Sequence, residues 1–281
     1  MSQYEDILYR VESGVAAITL NRPDKLNAWT QAMEQSVRAA VGEAANDPDV
    51  RVIVLTGAGR GFCAGADMSL LQSVDPDNAA EHTSPHQSGP DDAAGARLGP
   101  DLGKDYGGRF GYMLRCPKPI IAAINGPAAG LGLVVSLYAD VRFAGSEAVF
   151  TTAFSQRGLV AEHGISWLLP RLVGPANAFD LLLSARKIKA DEARHMGLVN
   201  QVFNQEAFMD SVQEYAGHLA DTVSPRSMAV MKAQLYKALQ QDFNSALSTA
   251  DAEMEKSFHS ADFKEGVAHF VEKRAPKFPG L

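Results

Sequence analysis

Two glycine-rich stretches hold the residues whose types and spacing best suit catalysis. The first runs from Gly59 to Met68 (GRGFCAGADM) and the second from Ile120 to Gly132 (IIAAINGPAAGLG). Small residues let a ligand approach the main chain closely, and a turn that opens a helix leaves backbone N–H groups without intrahelical acceptors. Two such turns facing each other would place two N–H donors around one oxygen, as in an oxyanion hole.

Each glycine-rich stretch adjoins an apolar, β-branched run that predicts a buried strand. Residues 51–56 precede the first stretch, and residues 120–124 begin the second. Each stretch then leads into a helical pattern, which covers residues 131–138 after Gly130. The order of strand, turn and helix predicts that both turns lie at strand ends.

The rest of the chain predicts an α/β protein that becomes mainly helical towards its end. Apolar patterns on both sides of Gly14 predict a β-hairpin, and Thr30 is a capping residue before a helix that runs to about Ala45. Apolar side chains at three- and four-residue spacing then predict helices over residues 208–221, 225–240 and 243–259.

Residues 72–103 differ from the rest because turn-forming residues dominate and apolar residues are few. This composition predicts a long loop, either a lid or a disordered excursion. His82 and His86 have the spacing of a helical metal site. The surrounding prolines and glycines disfavour a helix, so we expect solvated loop histidines and no metal site.

The composition bounds the class of protein. The 281 residues are 46% hydrophobic and 21% charged, as in soluble globular proteins. A net charge of −7 argues against general nucleic-acid binding. The two cysteines provide neither a disulfide framework nor a metal motif. We find no secretory signal and no apolar run near the ~20 residues that span a bilayer, so we expect a cytoplasmic protein with no membrane partner.

Several segments together resemble the crotonase superfamily, the enoyl-CoA hydratase/isomerase family of CoA-thioester enzymes. They include the two glycine-rich stretches, residues 20–28 (LNRPDKLNA), residues 193–199 (ARHMGLV) and the end of the chain from Ser260. The resemblance covers nearly the whole chain. It implies a spiral of strand-strand-helix repeats over residues 1–200, and a C-terminal helical region over residues 201–281 that forms homotrimers, often paired into hexamers.

The resemblance also implies how the thioester would be activated. The backbone amides of Ala66 and Leu131 would donate to the thioester oxygen and stabilise an enolate more than the ground state. Typical hydratases carry two glutamates that activate a water, but the matching positions here are Val134 and Phe154. Because neither side chain can titrate, the usual two-carboxylate hydration machinery is absent.

A single carboxylate, Glu162, lies in a segment that resembles two isomerase branches of the family. These are the peroxisomal-type 3,2-enoyl-CoA isomerases and the bacterial isomerases of phenylacetyl-CoA ring epoxides, and in both branches one carboxylate moves the proton. We therefore expect Glu162 to carry a proton from C2 to C4 of an enoyl-CoA. Alternatively, Glu162 is an exposed acid before a helix that begins near Ile165, and His163 either tunes its pKa or is packed or solvated.

The resemblance implies a set of residues that bind the substrate, and no cofactor beyond the CoA of the substrate itself. The candidates for contacts with CoA or the acyl group are Lys25, Leu26, Ala28, Ala64, Asp67, Met68, Gly130, Phe154, Trp167, Phe270 and Lys273. Of these, Phe270 and Lys273 would reach CoA from a neighbouring subunit. Asp67 is expected to hold the turn after Ala66, and Phe154 and Trp167 either line the acyl pocket or fill the core.

Three other functions remain open from the sequence. Glu162 could hydrate a 2-enoyl-CoA without the usual glutamate pair, or the chain could bind CoA thioesters without catalysis. Nucleotide binding is suggested by residues 57–61 (GAGRG) after a strand, but the full dinucleotide and phosphate-loop motifs are missing. Ser166 lies in no nucleophile-elbow motif, so a hydrolase triad has little support.

Overall fold

The computed structural model describes residues 4–72, 98–103 and 105–281. His82, His86 and most of the loop expected over residues 72–103 therefore lie outside the described residues. The strands are β1 (Ile7–Glu12), β2 (Val15–Leu20), β3 (Val52–Gly57), β4 (Ile120–Ile124), β5 (Ala128–Ala129), β6 (Val141–Gly145), β7 (Val149–Thr151), β8 (Ile188–Lys189) and β9 (Gln201–Phe203).

The helices alternate with these strands and then dominate the C-terminal part. They are α1 (Gln31–Asn46), α2 (Met68–Gln72), α3 (Gly111–Arg115), α4 (Leu131–Leu137), α5 (Ile165–Ser184), α6 (Ala190–His195), α7 (Phe208–Thr222), α8 (Pro225–Ala238), α9 (Phe243–Phe258) and α10 (Ala261–Glu272). The predicted hairpin, the buried strands and the three C-terminal helices are confirmed; α10 was not predicted.

The larger sheet has six strands in the order β1-β2-β3-β4-β6-β9, and only the β1–β2 hairpin is antiparallel. β3 is buried on both faces. Ile53 and Leu55 join the main core, whereas Val52 and Val54 pack with residues of α7. Burial on both faces explains why this strand reads as a continuous apolar run rather than an alternating one.

The smaller sheet contains β5, β7 and β8. Two isolated parallel bridges continue this kind of pairing outside the named strands: Cys63 pairs with Ala128, and Trp29 pairs with Ala66. Successive turns of the chain thus place one strand in the large sheet, one short extended segment beside it, and then a helix. This is the predicted spiral of strand-strand-helix repeats, and the buried Cys63 and Cys116 lie within it as free thiols.

Local capping signals set several helix boundaries, including the predicted one at Thr30. The Thr30 hydroxyl accepts the amide of Met33 at 2.9 Å and begins α1. Ser224 accepts the amide of Ser227 at 3.0 Å and begins α8. The long helix α5 is broken at Gly174, whose φ of 77° and ψ of 158° are not helical, so helical patterns begin at both Ile165 and Pro175.

The C-terminal part is joined to the sheets by α7 and by one buried lysine. Lys232 of α8 makes an ion pair with Asp140 at 2.7 Å and donates to the carbonyls of Met113 and Lys118 at 3.0 and 3.2 Å. Asp140 also accepts from the phenol of Tyr236 at 2.9 Å. These contacts fix α8 against the segment that leads into the start of β4. Within the described ranges, no helix combines the length and apolarity needed to cross a membrane.

Candidate functional site

The two glycine-rich turns are cross-linked through their backbones. The amides of Phe62 and Cys63 both donate to the carbonyl of Pro127 at 3.1 Å, and the amide of Ala129 donates to the carbonyl of Cys63 at 3.0 Å. Burial raises the pKa of the Cys63 thiol to about 12. Cys63 is therefore a packed, uncharged residue of the interface between the turns.

The amide of Ala66 is directed away from its neighbouring segment. Trp29 donates to the carbonyl of Gly65 at 2.8 Å, and Asp67 donates to the carbonyl of Trp29 at 2.9 Å. The carbonyl of Gly65 and the amide of Asp67 both form hydrogen bonds with Trp29. In such a parallel pairing the N–H of the residue between them, Ala66, points away from Trp29. This orientation is compatible with the predicted role of the amide as an oxyanion donor.

The amide of Leu131 opens α4 next to that edge. As the first residue of the helix, Leu131 has no intrahelical acceptor for its N–H. Gly65 has a φ of +105°, and a Cβ there would lie 3.9 Å from the nitrogen of Leu131 and 3.1 Å from the carbonyl oxygen of Ala129. Only glycine suits this backbone conformation and this close approach, which together bring the two predicted donors to neighbouring positions.

Asp67 holds the turn that follows Ala66. Its carboxylate accepts the amide and hydroxyl of Ser69 at 3.1 and 2.8 Å, and Arg22 donates to its other oxygen at 2.8 Å. The hydrogen bond from Arg22, with those from Ser69, lowers the pKa of Asp67 to about 2. Arg22 also donates to the carbonyl of Ala28 at 2.6 Å, so it ties both sides of the predicted CoA-binding segment.

Glu162 lies on the loop that leads into α5. Its side chain is 38% exposed, so a substrate can reach it. Partial burial raises the pKa of the Glu162 carboxyl, and the nearby charge of Arg109 opposes this with a smaller lowering effect. Two adjacent residues in the left-handed region, His163 (φ 52°) and Gly164 (φ 74°), form the turn between Glu162 and the helix. The Tyr138 phenol donates to the carbonyl of His163 at 2.8 Å and fixes this turn to the end of α4.

The positions that the resemblance assigns to the two hydratase glutamates are apolar and closed. Val134, on α4, is 0% exposed, and Phe154 is 4% exposed within the main core. No group at either position can hold or activate a water. The sequence left open whether Phe154 lines the acyl pocket or fills the core, and its burial favours core filling.

An ionic cluster beside Glu162 was not predicted. Arg109 is paired with Glu34 of α1, donating through Nε at 2.7 Å and also through Nη2, and its Nη1 lies 3.2 Å from Nε2 of His163. The same imidazole nitrogen lies 3.4 Å from the Glu162 carboxylate. Glu34 and Arg109 are far from His163 in the chain, so no spacing rule could have added them to the Glu162–His163 pair.

The comparisons with known proteins identify the family. The family model for enoyl-CoA hydratase/isomerase matches residues 10–91 and 102–280. The chain belongs to this family. It is similar to the Escherichia coli 1,2-epoxyphenylacetyl-CoA isomerase, with 36% identity over 98% of this chain and 99% of that protein. It is also similar to a Rhodobacter capsulatus protein named "Probable enoyl-CoA hydratase", with 38% identity over 99% of each chain.

Solved structures of the enoyl-CoA hydratase/isomerase family share the fold. The crystal structure of a Bacillus anthracis enoyl-CoA hydratase matches with a TM-score of 0.86 and 27% identity, over 99% of this chain and all of that one. The protein is therefore a crotonase-superfamily enzyme with the α/β spiral described above. The resemblance noted in the sequence is confirmed at the level of family and fold.

The enoyl-CoA hydratase/isomerase core gathers some of the predicted CoA-binding residues near the two predicted oxyanion donors, Ala66 and Leu131. The carbonyl of Leu26 accepts the amide of Ala64 at 2.9 Å, and Lys25, on the preceding 3-10 turn, is exposed. Gly130 lies immediately before Leu131 and donates to the carbonyl of Thr151 at 3.0 Å. Met68 opens α2 and is 56% exposed.

The remaining predicted residues lie on, or directly after, helices α5 and α10. Trp167 on α5 packs against Tyr106, with ring centroids 5.9 Å apart, and lies beneath the guanidinium of Arg171 at 3.8 Å. Phe270 is 80% exposed on α10, and Lys273 is exposed at its end. Both belong to the last helix of the C-terminal region, not to the loops around Ala66 and Leu131.

Proposed function

We propose that this protein moves a carbon–carbon double bond in an acyl-CoA thioester through an enolate. The amides of Ala66 and Leu131 bind the thioester oxygen, and Glu162 removes a proton from C2 of a 3-enoyl-CoA. The electrons of the broken C–H bond enter the conjugated dienolate. Glu162 then returns its proton to C4, which gives the 2-enoyl-CoA with no net change in atoms or electrons.

The observation that carries this proposal is the contrast between one titratable loop residue and two closed apolar positions. Glu162 is half-buried with a raised pKa, whereas Val134 and Phe154 are buried and cannot titrate. A raised pKa suits a group that must both accept and return a proton near neutral pH. Hydration would instead require a positioned water together with separate acid and base groups.

The proposed CoA site combines the exposed Lys25 with the backbone around Leu26, Ala28 and Ala64. Met68 and Trp167 would contact the acyl group or the pantetheine. Lys25 provides local positive charge for the CoA phosphates in a chain whose net charge is −7. We assign no role to an additional cofactor.

We further propose that the protein assembles as a trimer, or as a pair of trimers, through the C-terminal region over residues 201–281 and neighbouring surfaces. Apolar side chains on α5 and on the C-terminal helices are strongly exposed in the single chain. They include Phe179, Leu183, Met231, Leu235, Phe243, Leu247 and Phe270. Large apolar side chains exposed in this way support a contact with another protein chain. In such an assembly Phe270 and Lys273 could reach the CoA of a neighbouring subunit.

A paired assay tests the proposed activity. Purified protein is given 3-hexenoyl-CoA and crotonyl-CoA, and double-bond migration and water addition are followed separately. Fast migration with slow hydration supports the single-carboxylate mechanism. Fast hydration would show a hydratase, and tight thioester binding without turnover of either substrate would show a binding scaffold; each of these two outcomes overturns the proposal.

A ring-epoxide thioester forms a second arm of the same assay. The name of the Escherichia coli relative favours this acyl group, since that protein is similar over 98% of this chain. Isomerisation of 1,2-epoxyphenylacetyl-CoA in preference to 3-hexenoyl-CoA would identify an aromatic rather than an aliphatic acyl group as the substrate class.

A further inference from the structure

Arg109 connects helix α1 with the loop that carries Glu162. Its guanidinium donates to Glu34, which also accepts the indole N–H of Trp29 at 3.3 Å. Its Nη1 lies 3.2 Å from Nε2 of His163. The backbone carbonyl of Arg109 accepts a hydrogen bond from the guanidinium of Arg38 at 2.6 Å. Both the main chain and the side chain of Arg109 are therefore held in place.

The chemistry of the two side chains fixes the state of the imidazole. A guanidinium carries five N–H donors, has no acceptor and stays charged at every accessible pH. Nε2 of His163 must therefore accept from Arg109, which leaves the ring proton on Nδ1 and the imidazole neutral. The 3.4 Å contact between Nε2 and the Glu162 carboxylate is then not an ion pair.

We propose that Arg109 is a positioning residue that holds His163 neutral beside Glu162, so that the proton taken from the substrate stays on the carboxyl group. This inference rests on the proposed role of Glu162. With a guanidinium already on Nε2, the imidazole cannot take up the proton that Glu162 must return to C4. Glu34 offsets the charge of Arg109 and keeps the cluster compatible with partial burial.

The surroundings of His163 agree with this assignment. Among the described residues, the charged and titratable groups that face it are Glu162 on its own loop, Arg109 with Glu34 behind it, and Tyr138, which donates to its carbonyl. The Phe110 ring packs edge-on at 5.9 Å. Burial, with a smaller effect of Arg109, lowers the pKa of His163 to about 4 against an opposing effect of Glu34.

Removing Arg109 should convert His163 into a competing base. In Arg109→Leu, Nε2 becomes free and Glu34 loses its counter-charge, so the pKa of His163 rises towards its ordinary value, although burial still opposes the charged form. The imidazolium would pair with Glu162 at the existing 3.4 Å and hold the carboxylate ionised and occupied. The rate should then fall about tenfold for each pH unit below the new histidine pKa.

The test combines a histidine titration with a pH–rate profile. The NMR signals of ¹³C-labelled imidazoles are followed from pH 5 to pH 8.5 in wild type and Arg109→Leu, with His163→Asn to assign the resonance. We expect His163 to remain neutral throughout in wild type, and in Arg109→Leu to titrate within this range, at a clearly higher pH than in wild type. Equal titration in both proteins, or a wild-type midpoint near 6.5, overturns the proposal.

The kinetic arm uses 3-hexenoyl-CoA with four variants. We expect a new acid limb in kcat/KM for Arg109→Leu, recovery of the wild-type profile in Arg109→Lys, and loss of the new limb in Arg109→Leu/His163→Asn. Arg186→Leu, which removes a surface arginine paired with Asp180 and Glu192, is the matched control and should keep the wild-type profile.

The two arms separate failure of this inference from failure of the proposed function. A profile for Arg109→Leu without an acid limb, although His163 titrates, overturns the positioning role. If wild type turns over no thioester, the proposed function fails, and the wild-type titration, which needs no turnover, still decides whether the imidazole is held neutral.

Discussion

Gly132 packs against Cys63 so closely that a Cβ on Gly132 would lie 2.2 Å from the carbonyl oxygen of Cys63. Real Cβ contacts are not this short, so an alanine could be accommodated only by moving the backbone of one turn. Gly132 directly follows Leu131, and Cys63 lies three residues before Ala66. The spacing of the two proposed oxyanion donors thus depends on the absence of a single methyl group.

Gly132→Ala should separate the turns and lower both stability and turnover. We expect a loss of about 1–3 kcal/mol in the free energy of unfolding, typical of overpacking, measured by urea denaturation, with a larger fall in kcat than in thioester affinity. Gly217→Ala is the matched control, because Gly217 lies within helix α7 with nothing within 4 Å of an added Cβ. Its stability should stay equal or rise by up to about 1 kcal/mol. Equal effects of the two substitutions would contradict the packing described here.

Glu162→Gln should abolish proton transfer while preserving the binding site. We expect isomerisation of 3-hexenoyl-CoA to fall at least ~10²-fold, the scale of a positioned acid/base group. Thioester affinity, measured by calorimetry, should be retained because the amides of Ala66 and Leu131 are unaffected. Glu214→Gln, at an exposed position on α7, serves as the control. A Glu162→Gln enzyme with near-normal turnover would rule out the assigned role.

Lys232→Met should leave Asp140 without its cation inside the protein. Breaking a buried ion pair from one side costs about 3–5 kcal/mol, and among the described residues Asp140 would keep the Tyr236 phenol and the amide of Ile120 as partners. Equilibrium unfolding of Lys232→Met, Asp140→Asn and the double variant forms a thermodynamic cycle. The double variant should lose less than the two single variants together; simple additivity would show that the pair is not coupled.

His163 should make stability depend on pH in the acid range. Its pKa is about 4 in the folded protein and about 6.5 in the unfolded chain. Between these values the unfolded chain binds more protons, so the free energy of unfolding falls as the pH falls from 6.5 to 4, by up to roughly 3 kcal/mol. His163→Asn should flatten this part of the profile in urea denaturation at pH 7 and pH 4.5. An unchanged slope would show that another group is responsible.

Local sequence signals predicted most of the elements of the fold. The hairpin around Gly14, the helix capped by Thr30, the helix that begins at Ser224 and Pro225, and the buried strand β3 all follow from turn chemistry, capping or continuous hydrophobicity. These signals act over a few residues and do not require knowledge of contacts between distant parts of the chain. The last helix, α10, was missed although Ser260 caps it through the amide of Phe263 at 3.1 Å.

The sequence by itself determined the family, the order of the elements and the presence of two glycine-rich turns with a single candidate carboxylate. The tertiary structure alone decided which distant groups meet. Glu34, Arg109 and His163 are joined only because α1, the segment before α3 and the loop before α5 pack around the same point. The state of the imidazole depends on distances of 3 to 4 Å. Such contacts arise from how layers pack, and residue spacing along one chain carries no information about them.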